Sequence, residues 1–223
     1  MNFSLLVPVV FFFSGVFAAA QTPGTGTLSA LQNYQTGRDL ESINRMSEAV
    51  SYYNEAIRIC QDEVARNVAT RETYAVITWA LRRQNRHAEV ITWGERGLRV
   101  YADELRIVQT MGESWFYLGD FSRSLNYMQR YTNAVPQGDR SSVSFFFIGE
   151  IYRLTSKYLH ADIAYTTAVR LTPTVPLWWY RLGTVREATG DRNQAIEAFR
   201  EVIKLDPNYQ NAIDGLARLQ RQL

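Results

Sequence analysis

The sequence lacks most of the residues on which disulfides, metal sites and catalysis depend. One cysteine, Cys60, stands alone among 223 residues, so no disulfide can form within the chain. The two histidines, His87 and His160, are far apart in sequence, and neither has a cysteine or a second histidine at metal-ligand spacing. No P-loop, dinucleotide-binding glycine motif or G-x-S-x-G motif occurs. We therefore expect no catalytic residues, no metal and no cofactor, and we expect Cys60 to be a buried, unreactive thiol.

A strong charge of either sign is also missing. The chain has 24 basic and 22 acidic side chains, a formal net charge of +2, and no prominent run of like charges. Nucleic-acid-binding domains usually carry a clustered basic face, so we expect no nucleic-acid partner. With 46% hydrophobic and 21% charged residues, the chain has the ordinary balance of a globular protein with a sizeable core.

Charged side chains are absent from the first 20 residues, which contain an apolar run from Leu5 to Phe17. Such a run has the length of a signal-peptide core and is short for a membrane span. Ala18 to Ala20 supply the small residues of a cleavage site, so we predict a signal peptide over residues 1–20, cleaved after Ala20. Because no lysine or arginine precedes the apolar run, an uncleaved membrane anchor is the alternative. Either way, the rest of the chain is expected in the periplasm or cell envelope.

The segment that follows has little regular character. Pro23, Gly24 and Gly26 argue against secondary structure at its start, and a short helix is compatible with Leu28 to Tyr34 alone. We predict a linker over residues 21–36.

Beyond the linker, the chain repeats itself. Three glycine–proline pairs share one spacing of 24 residues: Gly112 with Pro136, Gly149 with Pro173, and Gly183 with Pro207. The glycines are 37 and then 34 residues apart, and the excess falls in a polar segment, residues 137–141, that has the composition of a loop.

This pattern resembles the tetratricopeptide repeat, TPR, whose period is 34 residues. Residues 142–175 match it best, with Phe145, Ile148, Gly149, Tyr152, Ala161, Tyr165, Ala168 and Pro173 at the family's preferred positions. The resemblance implies that each repeat is a pair of antiparallel helices, A then B. Small residues let the two backbones approach and large residues fill the remaining space. Neighbouring pairs must stack, because one pair cannot bury its own apolar face.

The resemblance predicts an all-α fold, a right-handed TPR solenoid of about five helix-turn-helix repeats with a C-terminal capping helix. It suggests an exported bacterial member of the family. In the first and most degenerate repeat, Asn44 replaces the expected glycine and Glu63 occupies a small-residue position. The predicted repeats are residues 37–70, 71–104, 105–138, 142–175 and 176–209, and the capping helix covers residues 210–223.

In this family the A helices line a concave groove that binds partners. Carrying the groove positions over to this chain gives aromatic, arginine and glutamate side chains: Trp79, Arg82, Arg106, Glu113, Phe116, Phe146, Glu150, Arg153 and Tyr180. Aromatics and arginine dominate binding hot spots. The alternative is that these aromatics pack in the core. The lysines with which some TPR domains grip a C-terminal carboxylate do not appear, so an amphipathic helix or an extended apolar peptide suits the lining better.

Three functions remain open at this point. The leading hypothesis is an exported, non-catalytic adaptor that binds a protein or peptide in its groove and helps to assemble an envelope complex. The alternative is a periplasmic, transporter-associated protein that binds a small apolar ligand. The third is a homo-oligomeric scaffold that associates through residues 37–70. Membrane attachment is expected only if the N-terminal segment is not cleaved.

Overall fold

The structure, a computed structural model, describes residues 28–221. The predicted signal peptide or anchor over residues 1–20 lies outside these residues. Within them every regular element is an α-helix, and none of the helices is long and apolar enough to cross a membrane. The described range contains eleven helices: α1 (Ala30–Ser42), α2 (Met46–Ala65), α3 (Arg71–Arg83), α4 (His87–Val100), α5 (Leu105–Tyr117), α6 (Phe121–Ala134), α7 (Ser141–Leu154), α8 (Tyr158–Leu171), α9 (Pro176–Ala188), α10 (Arg192–Leu205) and α11 (Gln210–Gln220).

Consecutive helices form hairpins that stack along the chain. Short turns join α1 to α2, α3 to α4, α5 to α6, α7 to α8 and α9 to α10. The middle residue of each turn has a positive φ, a conformation that glycine and asparagine adopt most readily: Asn44, Asn85, Gly119, Ser156 and Gly190. Each hairpin packs against the next one. The predicted all-α solenoid of stacked helix pairs is confirmed.

The first hairpin begins earlier than the sequence predicted. α1 starts at Ala30, where Ser29 and Gln32 form a reciprocal capping box. The Gln32 amide donates to Ser29 Oγ at 3.2 Å, and the Ser29 amide donates to Gln32 Oε1 at 2.8 Å. The linker predicted over residues 21–36 is therefore wrong from residue 30 onward, and so is the repeat boundary predicted at residue 37.

Gly37 marks the true frame of this hairpin. A Cβ added at Gly37 would lie 2.6 Å from the Tyr53 ring, just as one at Gly149 would lie 2.6 Å from Tyr165. Asn44, which the sequence placed at the glycine position, is instead the turn residue. The predicted frame was wrong because α2 has 20 residues where the other B helices have 14. Counting one 34-residue period back from residue 71 reaches only residue 37, which lies inside α1 and after its start at Ala30.

The core lies between an inner layer of A helices (α1, α3, α5, α7 and α9) and an outer layer of B helices (α2, α4, α6, α8 and α10). Tyr53, Met128, Tyr165 and Phe199 are fully buried on the B helices, each opposite a glycine of an A helix. Cys60 is buried in the same layer, and this burial raises the pKa of its thiol to about 12. A thiol that stays protonated at neutral pH is a poor nucleophile.

Successive A helices also touch each other. α1 contacts α3, α3 contacts α5, and α5 contacts α7, so these helices lie on the inner side of the solenoid. At the other end, α11 covers the last hairpin. Ala212 and Leu219 of α11 are buried against the core residues Phe199 and Val202, so α11 occupies the place of a further repeat.

Candidate functional site

The inner surface carries a pocket of about 240 Å³ where α1, α3 and α5 meet. Most of its lining residues come from three successive A helices. α6 and the loop before α7 contribute one residue each, Tyr131 and Arg140. The lining residues are Tyr34, Arg38, Trp79, Arg82, Arg83, Arg106, Gln109, Thr110, Glu113, Tyr131 and Arg140. This inner pocket combines five guanidinium groups with three aromatic rings and one carboxylate, so it is more basic than the mixed aromatic, arginine and glutamate lining that the sequence suggested.

A buried carboxylate, Glu113, lies at the base of the inner pocket with no exposed side-chain surface. Arg82 from α3 pairs with its Oε2, and Arg140 from the loop before α7 pairs with its Oε1 at 2.6 Å. The Gln109 amide donates to the same Oε1. A buried charge is tolerated only when it is paired and hydrogen-bonded. Glu113 therefore links α3, α5 and the start of α7, and its oxygens are already occupied.

Of the other three arginines of the inner pocket, two have one acidic partner each and one has none among residues 28–221. Arg83 pairs with Glu41 of α1 at 2.9 Å, and Arg106 pairs with Glu104, which precedes α5, at 2.7 Å. Arg38 is exposed and forms no ion pair with any residue in the range 28–221. Four of the five guanidinium groups thus share three carboxylates, and the pocket carries an excess of positive charge.

Aromatic rings form the apolar part of the inner pocket. Tyr34 lies 5.5 Å from Trp79 between ring centroids, and the Arg106 guanidinium lies 5.6 Å from the Trp79 ring. Burial raises the pKa of the Tyr34 hydroxyl, and the nearby arginines, led by Arg38, act in the opposite direction. Tyr34 and Trp79 are both partly exposed, so their faces remain accessible from the groove.

A second charged cluster lies further along the inner surface. Glu150 of α7 is 6% exposed and pairs with Arg153 at 2.8 Å and with Arg181 of α9 at 3.1 Å. The Tyr165 hydroxyl donates to Glu150, and burial, followed by the Glu150 charge, raises the pKa of that hydroxyl. Glu150 thus joins α7, α8 and α9 much as Glu113 joins the hairpins before it.

The remaining sequence-predicted aromatics are packed against the protein itself. Phe146 stacks on Trp178 at 5.3 Å, Phe116 meets Phe147 at 5.0 Å, and Tyr180 meets Tyr209 at 5.3 Å. All three predicted residues are partly buried. They line the inner side with one face and contribute to the core with the other.

Four of the nine predicted groove residues meet in the inner pocket: Trp79, Arg82, Arg106 and Glu113. Glu150 and Arg153 form the second cluster. The sequence missed Tyr34 because the late repeat boundary placed it in the linker. It missed Arg38 because groove residues were predicted only for the repeats from residue 71 onward. Gly37 and the Ser29–Gln32 capping motif were the signals that could have located them. Arg140 was missed because it lies in the loop inserted between repeats.

Neither histidine lines the inner pocket. His87 stacks on Tyr117 with ring centroids 4.7 Å apart, and His160 contacts Tyr152 at 5.2 Å. Within residues 28–221, no three His, Cys, Asp or Glu side chains come close enough together to hold a metal ion.

Comparison with known families gives one match. The tetratricopeptide repeat model matches residues 176–209, the hairpin of α9 and α10. The resemblance read from the sequence is confirmed for this hairpin. A search of curated proteins finds no match.

Solved structures share the fold. MamA from Desulfovibrio magneticus RS-1, residues 41 to the end, has a TM-score of 0.59 and 17% identity over 81% of this chain and 96% of its own. A second MamA structure has a TM-score of 0.59 and 16% identity over 66% of this chain and 84% of its own. YrrB, described as a TPR protein with an unusual peptide-binding site, has a TM-score of 0.56 and 16% identity over 87% of this chain and 93% of its own. At these identities the likeness establishes the fold alone.

Proposed function

We propose that this TPR-fold protein is a non-catalytic adaptor that binds a protein or peptide partner on its inner surface and helps to assemble a complex of the cell envelope. The observation that carries the proposal is the inner pocket. Arginine and aromatic side chains from three successive A helices converge there, and these residue types supply most of the energy of protein interfaces. YrrB, which shares the fold, is described as having a peptide-binding site.

The charged groups of the inner surface are arranged for binding and for structural support rather than for catalysis. The two most buried carboxylates, Glu113 and Glu150, are each held by two arginines. A general acid or base needs a carboxyl group free to exchange a proton with a substrate. A carboxylate held by two guanidiniums instead fixes the position of its neighbours.

The structure favours a peptide over a small apolar ligand. Apolar-ligand sites are lined mainly by hydrophobic side chains with a few polar groups. The inner pocket has five arginines, so an uncharged apolar molecule would leave their charges unmatched. Self-association through the first hairpin and export through residues 1–20 stay predictions, which light scattering and N-terminal sequencing of the mature protein would test.

Crosslinking in cells, followed by reconstitution with the purified partner, tests the adaptor proposal. Trp79→Ala should reduce partner binding, because Trp79 is partly exposed and central to the pocket. Arg99→Ala is a suitable control, because Arg99 is exposed on the outer helix α4. Phe116 and Phe146 are poorer test sites, since neither lines the inner pocket. Equal binding by the wild type, Trp79→Ala and Arg99→Ala would refute the pocket as the binding site.

A further inference from the structure

We infer that the inner pocket receives an acidic side chain, glutamate or aspartate, from within an extended segment of the bound partner. This inference rests on the proposed function and adds the chemistry that the partner must carry. It differs from the apolar or amphipathic partner that the sequence alone favoured.

The inference rests on the positive charge of the inner pocket. Four of its five arginines contact three carboxylates of the chain, and Arg38 contacts none among residues 28–221. One further carboxylate beside Arg38 would complement this excess of positive charge. A guanidinium presents paired donors that match the two oxygens of a carboxylate, so arginine is suited to this role.

The chain's own Glu113 shows that this environment accepts a carboxylate. It is fully buried and held by Arg82, Arg140 and Gln109. These groups are therefore occupied, and Arg38 of α1 is the arginine of the pocket that has no carboxylate partner among residues 28–221. Arg106 of α5 is paired with Glu104, but its side chain is 43% exposed and can approach a second carboxylate.

The aromatic rings near these two arginines indicate which kind of residue should lie next to the acidic residue in the partner. Trp79 lies under the Arg106 guanidinium and beside Tyr34, and both rings are partly exposed. An apolar or aromatic residue next to the acid can cover these rings while the carboxylate meets Arg38. The inner layer of A helices continues from α5 to α7, so an extended segment longer than the pocket has further inner surface to contact.

Selection from a random peptide library, displayed so that no peptide has a free C-terminus, tests the inference on the full-length protein. Selected peptides should be enriched in glutamate or aspartate beside an apolar residue. Replacing that acid by glutamine should weaken binding about tenfold to a hundredfold, the range expected for a charge-assisted hydrogen bond.

A charge-reversal experiment separates recognition from a structural effect. Arg38→Glu should lose about tenfold or more in affinity for the glutamate peptide, and replacement of the peptide's glutamate by lysine should restore binding to that variant. Arg99→Glu is the matched control on the outer surface and should bind as the wild type does. Circular dichroism would verify that both variants are folded.

The remaining outcomes distinguish this inference from the proposed function. Peptides that bind without acidic enrichment, yet lose binding with Trp79→Ala, would overturn the inference and leave the adaptor role intact. Binding that requires a free C-terminal carboxylate would also overturn it. If no displayed peptide and no crosslinked partner depends on Trp79, the proposed function is wrong and the inference falls with it.

Discussion

At the residue scale, helices pack closely where an A-helix glycine faces a B-helix ring. The absence of a Cβ at Gly37, Gly149 and Gly183 allows Tyr53, Tyr165 and Phe199 to lie directly against the A-helix backbone. Elsewhere in a helix, glycine is unfavourable relative to alanine by about 1 kcal/mol. These glycines are therefore required by contact between helices, against their own helix propensity.

Gly37→Ala should destabilise the protein by about 1–3 kcal/mol, the usual cost of overpacking a core. The added Cβ would lie 2.6 Å from Tyr53, 2.8 Å from a second atom of that ring and 3.2 Å from the Ala49 carbonyl oxygen. Urea denaturation measures the change, with Gln35→Ala at an exposed site of the same helix as the control. A stabilised Gly37→Ala variant would show that α1 does not pack in this frame.

His87 should make the protein less stable in mild acid. Burial, with a further contribution from Arg82, lowers the pKa of its imidazole below 6.5, while Glu113 acts in the opposite direction. The unfolded chain therefore binds a proton at higher pH than the folded one. Stability that is present above about pH 6.5 is lost as the pH falls toward the lower, folded pKa.

His87→Gln should reduce this loss between about pH 7.5 and about pH 5.5. The free energy of unfolding of the wild type and the variant at both pH values gives the result. His160→Gln, at an exposed histidine, is the matched control. An unchanged pH dependence in His87→Gln would assign the acid sensitivity to other groups.

At the element scale, the repeat frame was readable for most of the chain and misread at its start. Glycine–proline spacing located the hairpins from α5 to α10, because there each helix pair has nearly the same length. The longer α2 broke that regularity. The positive-φ residues mark the turn inside each hairpin even where helix length varies. Asn44, followed by Asn85 in the turn of the next hairpin, was a further local signal of this kind in the sequence.

Ion pairing on the inner surface was harder to predict than the helices. The sequence identified Arg82 and Glu113 as groove residues, but the pair they form joins adjacent hairpins and depends on how closely α3 approaches α5. Arg140 reaches Glu113 only because the loop before α7 folds back. Such contacts are set by the stacking of hairpins, which a single sequence does not specify.

The capping helix α11 should be held mainly by apolar burial. Leu219 is 4% exposed, so Leu219→Ala should destabilise by about 2–5 kcal/mol. Arg218 makes a bidentate ion pair with Glu187 but is exposed, so Arg218→Ala should cost no more than about 1 kcal/mol. Thermal or urea unfolding compares the two. A larger effect for Arg218→Ala would mean that the ion pair, and not packing, attaches the cap.

At the scale of the whole molecule, the solenoid is a row of local interfaces. Each hairpin contacts its neighbours along the chain, and the buried carboxylates act at these junctions: Glu113 between α3, α5 and the start of α7, and Glu150 between α7, α8 and α9. The stability of such proteins is approximately a sum of repeat and nearest-neighbour terms. A weakened junction should therefore open locally before the rest unfolds.

Glu113→Gln should produce this local effect. Glutamine keeps the size of the side chain but removes the charge that Arg82 and Arg140 share, leaving two guanidiniums facing each other at the base of the inner pocket. Breaking a buried ion pair costs about 3–5 kcal/mol. Because both arginines reach solvent, with side-chain exposures of 23% and 49%, we expect about 1–3 kcal/mol here. Hydrogen exchange should show faster exchange in α3, α5 and the first turn of α7.

The same measurement should leave α10 and α11 as protected as in the wild type, because they lie beyond the neighbouring junction. Glu197→Gln is the matched control, since Glu197 forms an exposed pair with Arg200 on α10. An equal loss of protection in every helix of Glu113→Gln would show that the protein unfolds as a single cooperative unit. A local loss would mean instead that the half of the inner surface with the inner pocket can rearrange while the capped end stays folded. An acidic peptide that neutralises Arg82 and Arg140 should then suppress the opening in Glu113→Gln.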